Sequence, residues 1–217
     1  MLRKLFVWIF FMYLGCNTII SQEDNSWKFV REDHGIQVFT NKTADSPIKE
    51  VKTQMLMHTT LSALVTLIKD VGNHHNWVYA NKNAEILKKD GDFSWVFYGQ
   101  SEAPWPVSDR DMVALTNLHQ DLSTKVITSV SFGDADYIPE AEDFVRVPEM
   151  YSCWTFTPKG CGNILVEFVL KIDLGGNVPT WLVNLTISKG PFTTILNMSQ
   201  ELEKPEYKNA KVSYISD

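Results

Sequence analysis

Between residues 84 and 171 the chain reads as one strand after another, and this run limits the fold more than any other feature. Consecutive strands with short connections pair as antiparallel neighbours. The run therefore predicts one large antiparallel sheet. Gly, Pro, Asp and Asn separate the predicted strands, which cover residues 84–89, 93–100, 111–120, 124–132, 144–147, 151–157 and 163–171.

Shorter elements precede this run. Residues 27–40 predict two strands about a turn at Asp33–Gly35, and residues 48–59 predict a third strand. The period of two then changes to helical spacing at residues 61–71, where Thr60 is the expected N-cap. The chain thus enters the main sheet after one small amphipathic helix.

A long helix closes the domain. It begins at Pro179, a favourable residue for a first helical turn, and continues to about Leu202. Gly190-Pro191 should bend or break it, because proline removes one hydrogen bond and clashes with the preceding turn. Strands followed by a terminal helix predict an α+β fold, in which the sheet curves around the helix and leaves an apolar cavity.

The first 21 residues predict a secretory signal peptide. Arg3 and Lys4 precede an apolar run over residues 5–14, which is too short to span a membrane as a helix. A basic segment followed by a short apolar segment is typical of export signals. We therefore expect this segment to be removed from the mature protein.

Two cleavage sites remain open. Cleavage before Cys16 would give a membrane-anchored lipoprotein, whereas cleavage after Ser21 would give a free periplasmic protein. In either case the protein is expected to be exported. The predicted domain then covers residues 22–210, and residues 211–217 form a C-terminal tail.

Composition and charge fit an ordinary globular domain. The 217 residues are 44% apolar and 21% charged, and acidic residues spread along the chain give a formal net charge of −6. Because a nucleic-acid-binding surface needs clustered Lys and Arg, nucleic acid is not an expected partner. No internal repeat or linker-like stretch interrupts residues 22–210, and we expect a monomeric single domain.

Two cysteines flank a predicted hairpin turn in the sheet. If Thr157 pairs with Asn163, the residue opposite Cys153 is Glu167 and not Cys161. A disulfide needs Cα atoms about 5.5 Å apart. Two free thiols are therefore favoured over a disulfide.

Motifs for metal binding and catalysis are absent from the sequence. His74 and His75 are adjacent, so their side chains diverge, and neither HExxH nor CxxC accompanies them. A GxSxG nucleophile elbow and a phosphate-binding glycine loop are also missing. We therefore expect no metal, no cofactor and no enzymatic activity.

Five blocks of sequence stand in a characteristic order. The most specific is APWPVSDRD at Ala103–Asp111, and the others are Asn76–Ala80, Arg146–Pro148, Trp154–Pro158 and Asp173–Asn184. The first block is similar to the PWPxSxRD signature of START (steroidogenic-acute-regulatory-related lipid transfer) domains, and each of the others resembles the corresponding family block. The similarity covers about residues 27–202, and it is strongest to bacterial secreted members.

The resemblance implies a helix-grip fold that holds a hydrophobic ligand, a lipid or sterol-like molecule, between the sheet and the terminal helix. For Arg110 it implies a structural role, with contact to the ligand as the alternative. Trp105, an apolar anchor between two prolines, and Asp111, a charge that must be paired, are also expected to be structural. Some sterol-binding members carry a cavity arginine six positions after the signature arginine, paired with a carboxylate on the neighbouring strand. Here that position is Thr116, and the neighbouring Trp95–Tyr98 has no carboxylate. We therefore expect a more apolar cavity, without that ion pair.

Strand alternation and helical spacing predict which side chains face the ligand. Methionine suits such a site because its thioether chain repacks easily around a flexible molecule. Movement of the terminal helix would admit the ligand, with Gly175-Gly176 and Gly190-Pro191 as hinges. The predicted ligand-facing residues are Met55, Met57, Trp95, Phe97, Met112, Ala114, Thr116, Val166 and Phe168 on the strands, and Leu182, Val183, Ile187, Phe192 and Ile195 on the helix.

The predicted function is binding and transfer of a hydrophobic molecule without chemistry, with transient contact with a membrane. A helix-grip enzyme of the cyclase or hydrolase type is one alternative, and Tyr79, His119 and Glu167 would then be suspected. A cell-envelope interaction module is the other. Polar groups converging inside the cavity would favour the enzyme, and a filled interior would favour the module.

Overall fold

The computed structural model describes residues 27–43, 46–103 and 107–217, apart from the side chains of Leu182, Leu185 and Thr186. The predicted signal peptide, with both cleavage sites, and the signature residue Trp105 lie outside the described residues. Strands β1 to β10 span Lys28–Asp33, Ile36–Asn41, Glu50–His58, Asn81–Asp90, Ser94–Ser101, Arg110–Gln120, Ile127–Gly133, Val145–Arg146, Glu149–Gly160 and Asn163–Asp173. Helices α1 to α5 span Leu61–Lys69, His74–Trp77, Thr180–Thr186, Lys189–Glu201 and Pro205–Lys208.

The main strands form one sheet in the order β1-β2-β3-β10-β9-β7-β6-β5-β4. All of these neighbours pair in the antiparallel sense, and the two-residue β8 pairs in parallel with the start of β6. The sheet curves around the C-terminal helices. The predicted α+β, helix-grip fold is therefore confirmed, including the long run of antiparallel strands.

Alternate residues of each long strand face opposite sides of the sheet, as the period of two requires. On β6, Met112, Ala114 and Leu118 belong to the main core on the concave side. The intervening Val113 and Leu115 belong to a second, smaller cluster on the outer side. The fold thus has two distinct interiors at this strand, and the larger one lies under the helices.

Helix α1 begins where the sequence predicts. The side chain of Thr60 accepts a hydrogen bond from the backbone N–H of Ala63 at 3.1 Å, which satisfies one donor of the first turn. Asp217 also accepts bonds from the backbone N–H of Ser62 at 2.8 Å and from its hydroxyl at 2.7 Å. Since Ile215 is buried as well, the predicted tail over residues 211–217 packs as part of the domain.

The terminal helix is broken, as predicted, but the break falls before Gly190-Pro191. Helix α3 ends at Thr186 and α4 begins at Lys189, so Gly190 and Pro191 lie in the first turn of α4. In a continuous helix the N–H of residue 191 would bond to the carbonyl of Ile187, and proline has no N–H to donate. The missing bond therefore interrupts the helix one turn ahead of the proline.

The β9–β10 hairpin differs from the prediction by two residues. Thr157 pairs with Leu165, and Cys153 pairs with Val169, because β9 continues to Gly160 before the chain turns. A shift of two preserves the face of every side chain. Cys153 and Cys161 are both free thiols, and Cys161 lies in the turn itself.

Candidate ligand-binding cavity

A cavity of about 470 Å³ lies between the concave side of the sheet and the helices that cover it. Side chains from β5, β6, β7, β9 and β10 form one wall. Helices α2 and α3 and the first two turns of α4 contribute the other wall, together with residues near 101–107 and 174–178. The interior is therefore not filled by side chains, which the interaction-module alternative would require.

Seven of the residues predicted to face the ligand line the cavity, five on strands and two in the α3 region. The cavity is lined by Trp95, Phe97, Met112, Thr116, Phe168, Val183 and Ile187. Leu182 belongs to α3, but its side chain is outside the described part of the molecule. Contact of these residues with a ligand stays a prediction.

Six other predicted residues are not among those that line the described cavity, and their contact with a ligand stays a prediction. Helix α4 packs on β2, β3 and β10 and so covers the strands that carry Met55, Met57 and Val166. Ala114 lies instead on β6, beside cavity-lining residues, and is itself fully buried. Met55 is partly buried against the core, and the other five are fully packed within it. The six are Met55, Met57, Ala114, Val166, Phe192 and Ile195.

Aromatic rings form much of the remaining cavity surface. Trp154 stacks on Phe168 with ring centroids 4.0 Å apart, and Trp77 lies 6.0 Å from Trp154. The sequence analysis assigned neither Trp77 nor Trp154 to the cavity. Trp77 lies on helix α2, where strand alternation does not apply, and Trp154 lies on β9. Both nevertheless fall within blocks that resemble the START family, and this signal could have found them.

Arg110 fixes the segment that leads into α3. Its guanidinium donates to the backbone carbonyl of Leu174 at 3.1 Å, to that of Gly175 at 3.4 Å and to that of Ser108. Gly175 has φ near +64°, and a Cβ there would lie 3.0 Å from Pro148, so glycine is required. Burial lowers the pKa of Arg110, against the raising effect of nearby Asp109. Arg110 thus anchors one edge of the cavity through backbone carbonyls.

Comparison with known proteins assigns the family. The START domain family model matches residues 17–206. The chain belongs to the START family. The uncharacterized protein PA1579 of Pseudomonas aeruginosa is 28% identical over 178 residues, which cover 82% of this chain and 87% of that protein. Mouse (Mus musculus) phosphatidylcholine transfer protein is 25% identical over 170 residues, with 76% and 78% of the two chains covered.

A solved structure agrees with this assignment. The STAR-related lipid transfer protein from Xanthomonas axonopodis superimposes with a TM-score of 0.78 and 26% identity, covering 83% of this chain and all of that fragment. The family blocks therefore correspond to the same three-dimensional fold.

Asp111, the last residue of the START signature, lies on the outer side of the sheet, where it forms an ion pair. Asp111 accepts hydrogen bonds from both Nε and Nη2 of Arg146, at 2.9 and 3.0 Å, and from the hydroxyl of Tyr98 at 3.1 Å. Both charged groups are almost fully buried. Sequence reasoning identified Arg146 only as part of a family block and did not pair it with Asp111. A buried carboxylate needs such a partner, and this requirement could have predicted the pair.

Arg146 uses its remaining donors to hold a loop. Its Nη1 and Nη2 donate to the carbonyls of Ala135, Ile138 and Pro139 at 2.6 to 3.1 Å. The guanidinium is therefore fully occupied on the side of the sheet away from the cavity. The structural role predicted for Asp111 fits these contacts.

At the position of the sterol-binding arginine, Thr116 pairs across the sheet with Trp95, as expected. Its hydroxyl lies 2.8 Å from that of Ser131, and Ser129 and Ser152 also line the cavity. The cavity is thus less uniformly apolar than predicted. Alternation misses Ser129 and Ser131, since a serine on every second position reads as a solvent-exposed face.

His74 lies in the cavity wall in the uncharged form. Its Nε2 donates to the carbonyl of Ile68 at 3.1 Å, and its ring packs edge-on against Trp77 and Phe97. Burial lowers the pKa of His74 to about 4, although the bond to Ile68 and the charge of Asp70 oppose this shift. The histidine is therefore neutral at ordinary pH.

The three residues suspected for catalysis do not meet. Tyr79 lines the cavity, His119 is exposed, and Glu167 pairs with Gln54 and Thr155 on the outer side of β10. Among the described residues, no group of three His, Cys, Asp or Glu side chains is placed to hold a metal ion. In the same part of the chain, no helix is long and apolar enough to cross a membrane.

Proposed function

We propose that this protein binds one hydrophobic molecule, a lipid or sterol-like ligand, inside the cavity and carries it without chemical change. The observation that supports this most is an unfilled, largely aromatic and aliphatic cavity in a member of the START family. Each methylene removed from water contributes about 0.8 kcal/mol, so one acyl chain supplies ample affinity. An enzyme has less support, because only Tyr79 of the suspected residues reaches the cavity.

The ligand is proposed to pass under α3. Val183 of this helix and Ile187, which follows its last residue, line the cavity, and Trp181 on the helix is 68% exposed. Amphipathic aromatic rings favour the membrane–water interface, so an exposed tryptophan suits transient contact with a membrane. Asn184 links α3 to the body of the domain through Lys49 N and Pro47 O, both at 3.0 Å. Displacement of α3 would break these polar contacts together with its apolar packing.

Export is part of the same proposal. The basic pair Arg3 and Lys4 and the apolar run over residues 5–14 support a signal peptide. Whether the mature protein begins at an acylated Cys16 or at Gln22 decides between a membrane-anchored and a free periplasmic carrier. Either form would place the cavity where lipid must cross water.

Native mass spectrometry of the mature protein purified from its own host tests both ligand carriage and export. We expect one lipid-sized adduct per chain, which organic extraction then identifies by class. The protein mass after extraction shows the N-terminal residue and any acyl groups. A clean apo mass that persists after incubation with phospholipid vesicles would contradict carriage.

A cavity-filling variant provides the control. Met112→Trp places an indole in the cavity and should abolish the adduct, because the ligand and the new ring compete for the same space. Leu122→Trp adds the same ring at a position that is 79% exposed in the β6–β7 turn, and it should retain the adduct. Circular dichroism checks that both variants are folded. Retention of the adduct by a folded Met112→Trp variant would locate the ligand elsewhere.

A further inference from the structure

Polar side chains form a row across the middle of the cavity wall. The register places Thr116 of β6 opposite Ser131 of β7, and Ser131 opposite Ser152 of β9. Trp95 continues the row on one side and Leu170 on the other. All five side chains line the cavity. Three neighbouring strands therefore present hydroxyl groups at one level of an otherwise apolar wall.

These hydroxyls are buried, and part of their hydrogen-bonding capacity is unused. Thr116, Ser129, Ser131 and Ser152 are between 2% and 8% exposed. Thr116 and Ser131 bond to each other at 2.8 Å. Among the described residues, the hydroxyls of Ser129 and Ser152 have no hydrogen-bond partner. Both serines line the cavity, so a ligand oxygen or a water molecule there can supply the partner.

A further donor lies at the end of the row. The indole Nε1 of Trp95 is buried, and no acceptor for it occurs in the described part of the chain. Trp95 pairs directly with Thr116. The indole N–H needs an acceptor, and the neighbouring hydroxyls can both donate and accept. An oxygen atom of a ligand would accept from these groups, and an alcohol oxygen could also donate to them.

Charged groups of the cavity lie at the other end. Among the described lining residues these are Glu102, Arg110 and Lys189. Arg110 is six residues before Thr116 on β6, about 20 Å along an extended strand. Glu102 follows Ser101, the residue paired with Arg110, so it lies at the same end. Lys69 lies 5.9 Å from the ring of Trp95, but it is not part of the described cavity lining, and its ammonium is held by Asp92 and Tyr214. Among the described lining residues, an ionised ligand group would therefore find no counter-charge beside the hydroxyl row.

We propose that the row formed by Thr116, Ser131 and Ser152, together with Ser129, is a subsite for an uncharged oxygen of the ligand. This inference rests on the proposed function and narrows it. The preferred ligand carries an alcohol, ester or ketone oxygen on an apolar skeleton and inserts that oxygen among the hydroxyls. A molecule with a carboxylate at this position would lose hydration without gaining a charged partner, and it binds more weakly.

Three single-chain probes of equal length separate these possibilities: dodecan-1-ol, dodecane and dodecanoate at pH 8. A change in the intensity or wavelength of tryptophan fluorescence reports binding, since Trp77, Trp95 and Trp154 line the cavity and their surroundings change when it is filled. We expect wild-type protein to bind the alcohol about tenfold more tightly than the alkane, as two modest hydrogen bonds predict, and to bind the carboxylate more weakly than the alcohol.

The double variant Ser129→Ala/Ser152→Ala removes the two unpartnered hydroxyls. Affinity for dodecan-1-ol should fall about tenfold to the level of the alkane, with affinity for dodecane unchanged. The matched control is Thr128→Ala, on the same strand as Ser129 but on the opposite face, and it should keep the preference for the alcohol. Because the readout is a ratio between probes, a general loss of stability does not imitate it.

Each other outcome overturns a defined part of the proposal. If wild-type protein binds dodecane and dodecan-1-ol equally, or binds dodecanoate best, the subsite is wrong and carriage still stands. If the double variant keeps its preference for the alcohol, these serines do not form the subsite. If no probe binds and no lipid copurifies, the proposed function itself fails.

Discussion

Strand β6 carries two polar arrangements on opposite faces. On the outer face, at its start, Asp111 is charged and its carboxylate is bonded to Arg146 and Tyr98. On the concave face, five residues later, Thr116 is uncharged and shares one bond with Ser131. The outer arrangement is complete within the protein, whereas the row to which Thr116 belongs includes hydroxyls with no partner in the described chain.

The difference follows from the cost of burial. A buried ion without its partner is destabilising by several kcal/mol, so the outer site must be satisfied by the fold itself. An unpaired buried hydroxyl costs much less, and a ligand can recover that cost on binding. Polar groups of low desolvation cost are therefore the ones that a carrier can leave available inside its cavity.

Breaking the outer pair should have the largest effect. Asp111→Asn keeps the shape of the side chain but leaves the buried Arg146 without a counter-charge. We expect the free energy of unfolding to fall by about 3–5 kcal/mol, measured by urea denaturation. Asp109→Asn is the control, because Asp109 pairs with the half-exposed Lys82, and its effect should be much smaller.

Replacing both partners sharpens this result. In Asp111→Leu/Arg146→Met no charge remains buried, so much of the stability lost in Asp111→Asn should return. Equal effects of Asp111→Asn and Asp109→Asn would show that the buried pair contributes no more than an exposed one.

The second prediction concerns the only histidine of the described cavity lining. His74 has a pKa of about 4 in the folded protein, against about 6.5 when unfolded. Between these values the unfolded chain binds a proton that the folded chain does not, so stability falls as pH decreases. From pH 7 to pH 5 we expect a loss of about 2 kcal/mol in the free energy of unfolding.

Urea denaturation at several pH values measures this slope, and His74→Gln should remove it. The exposed His119 provides the control, since His119→Gln should leave the slope in place. A slope that survives in His74→Gln would mean that other groups titrate on folding, and that the cavity wall does not exclude charge at His74.

The fold could be predicted from sequence to a large extent, because its signals are local and repeated. Period-two strands, the Thr60 cap and the effect of Pro191 each depend on a few neighbouring residues. The hairpin register was missed by two residues, because the prediction ended β9 at Thr157, whereas the strand continues to Gly160 and the positive φ of Gly160 and Gly162 places the turn there. The shift left every side chain on its predicted face.

The site was less predictable, because it depends on which part of the sheet the helices cover. Alternation put Met57 and Phe97 on the same concave side, yet α4 covers β3 and leaves β5 facing the cavity. Burial alone does not distinguish a packed core from a cavity wall. The cavity serines were not predicted, for the opposite reason. Polar residues at every second position of a strand usually face solvent, but these serines face the interior.

The smallest effect on stability should come from the inner arrangement. Thr116→Val keeps the shape of the side chain and removes only its bond to Ser131, so we expect a loss of about 1 kcal/mol or less in urea denaturation. Thr128→Val, on the outer face of β7, is the matched control for exchanging a hydroxyl for a methyl group. A loss as large as that of Asp111→Asn would mean that the hydroxyl row holds the sheet together. A small loss, with Ser131 freed from its bond to Thr116, would mean that the row contributes little to folding and that its polarity is available to a ligand.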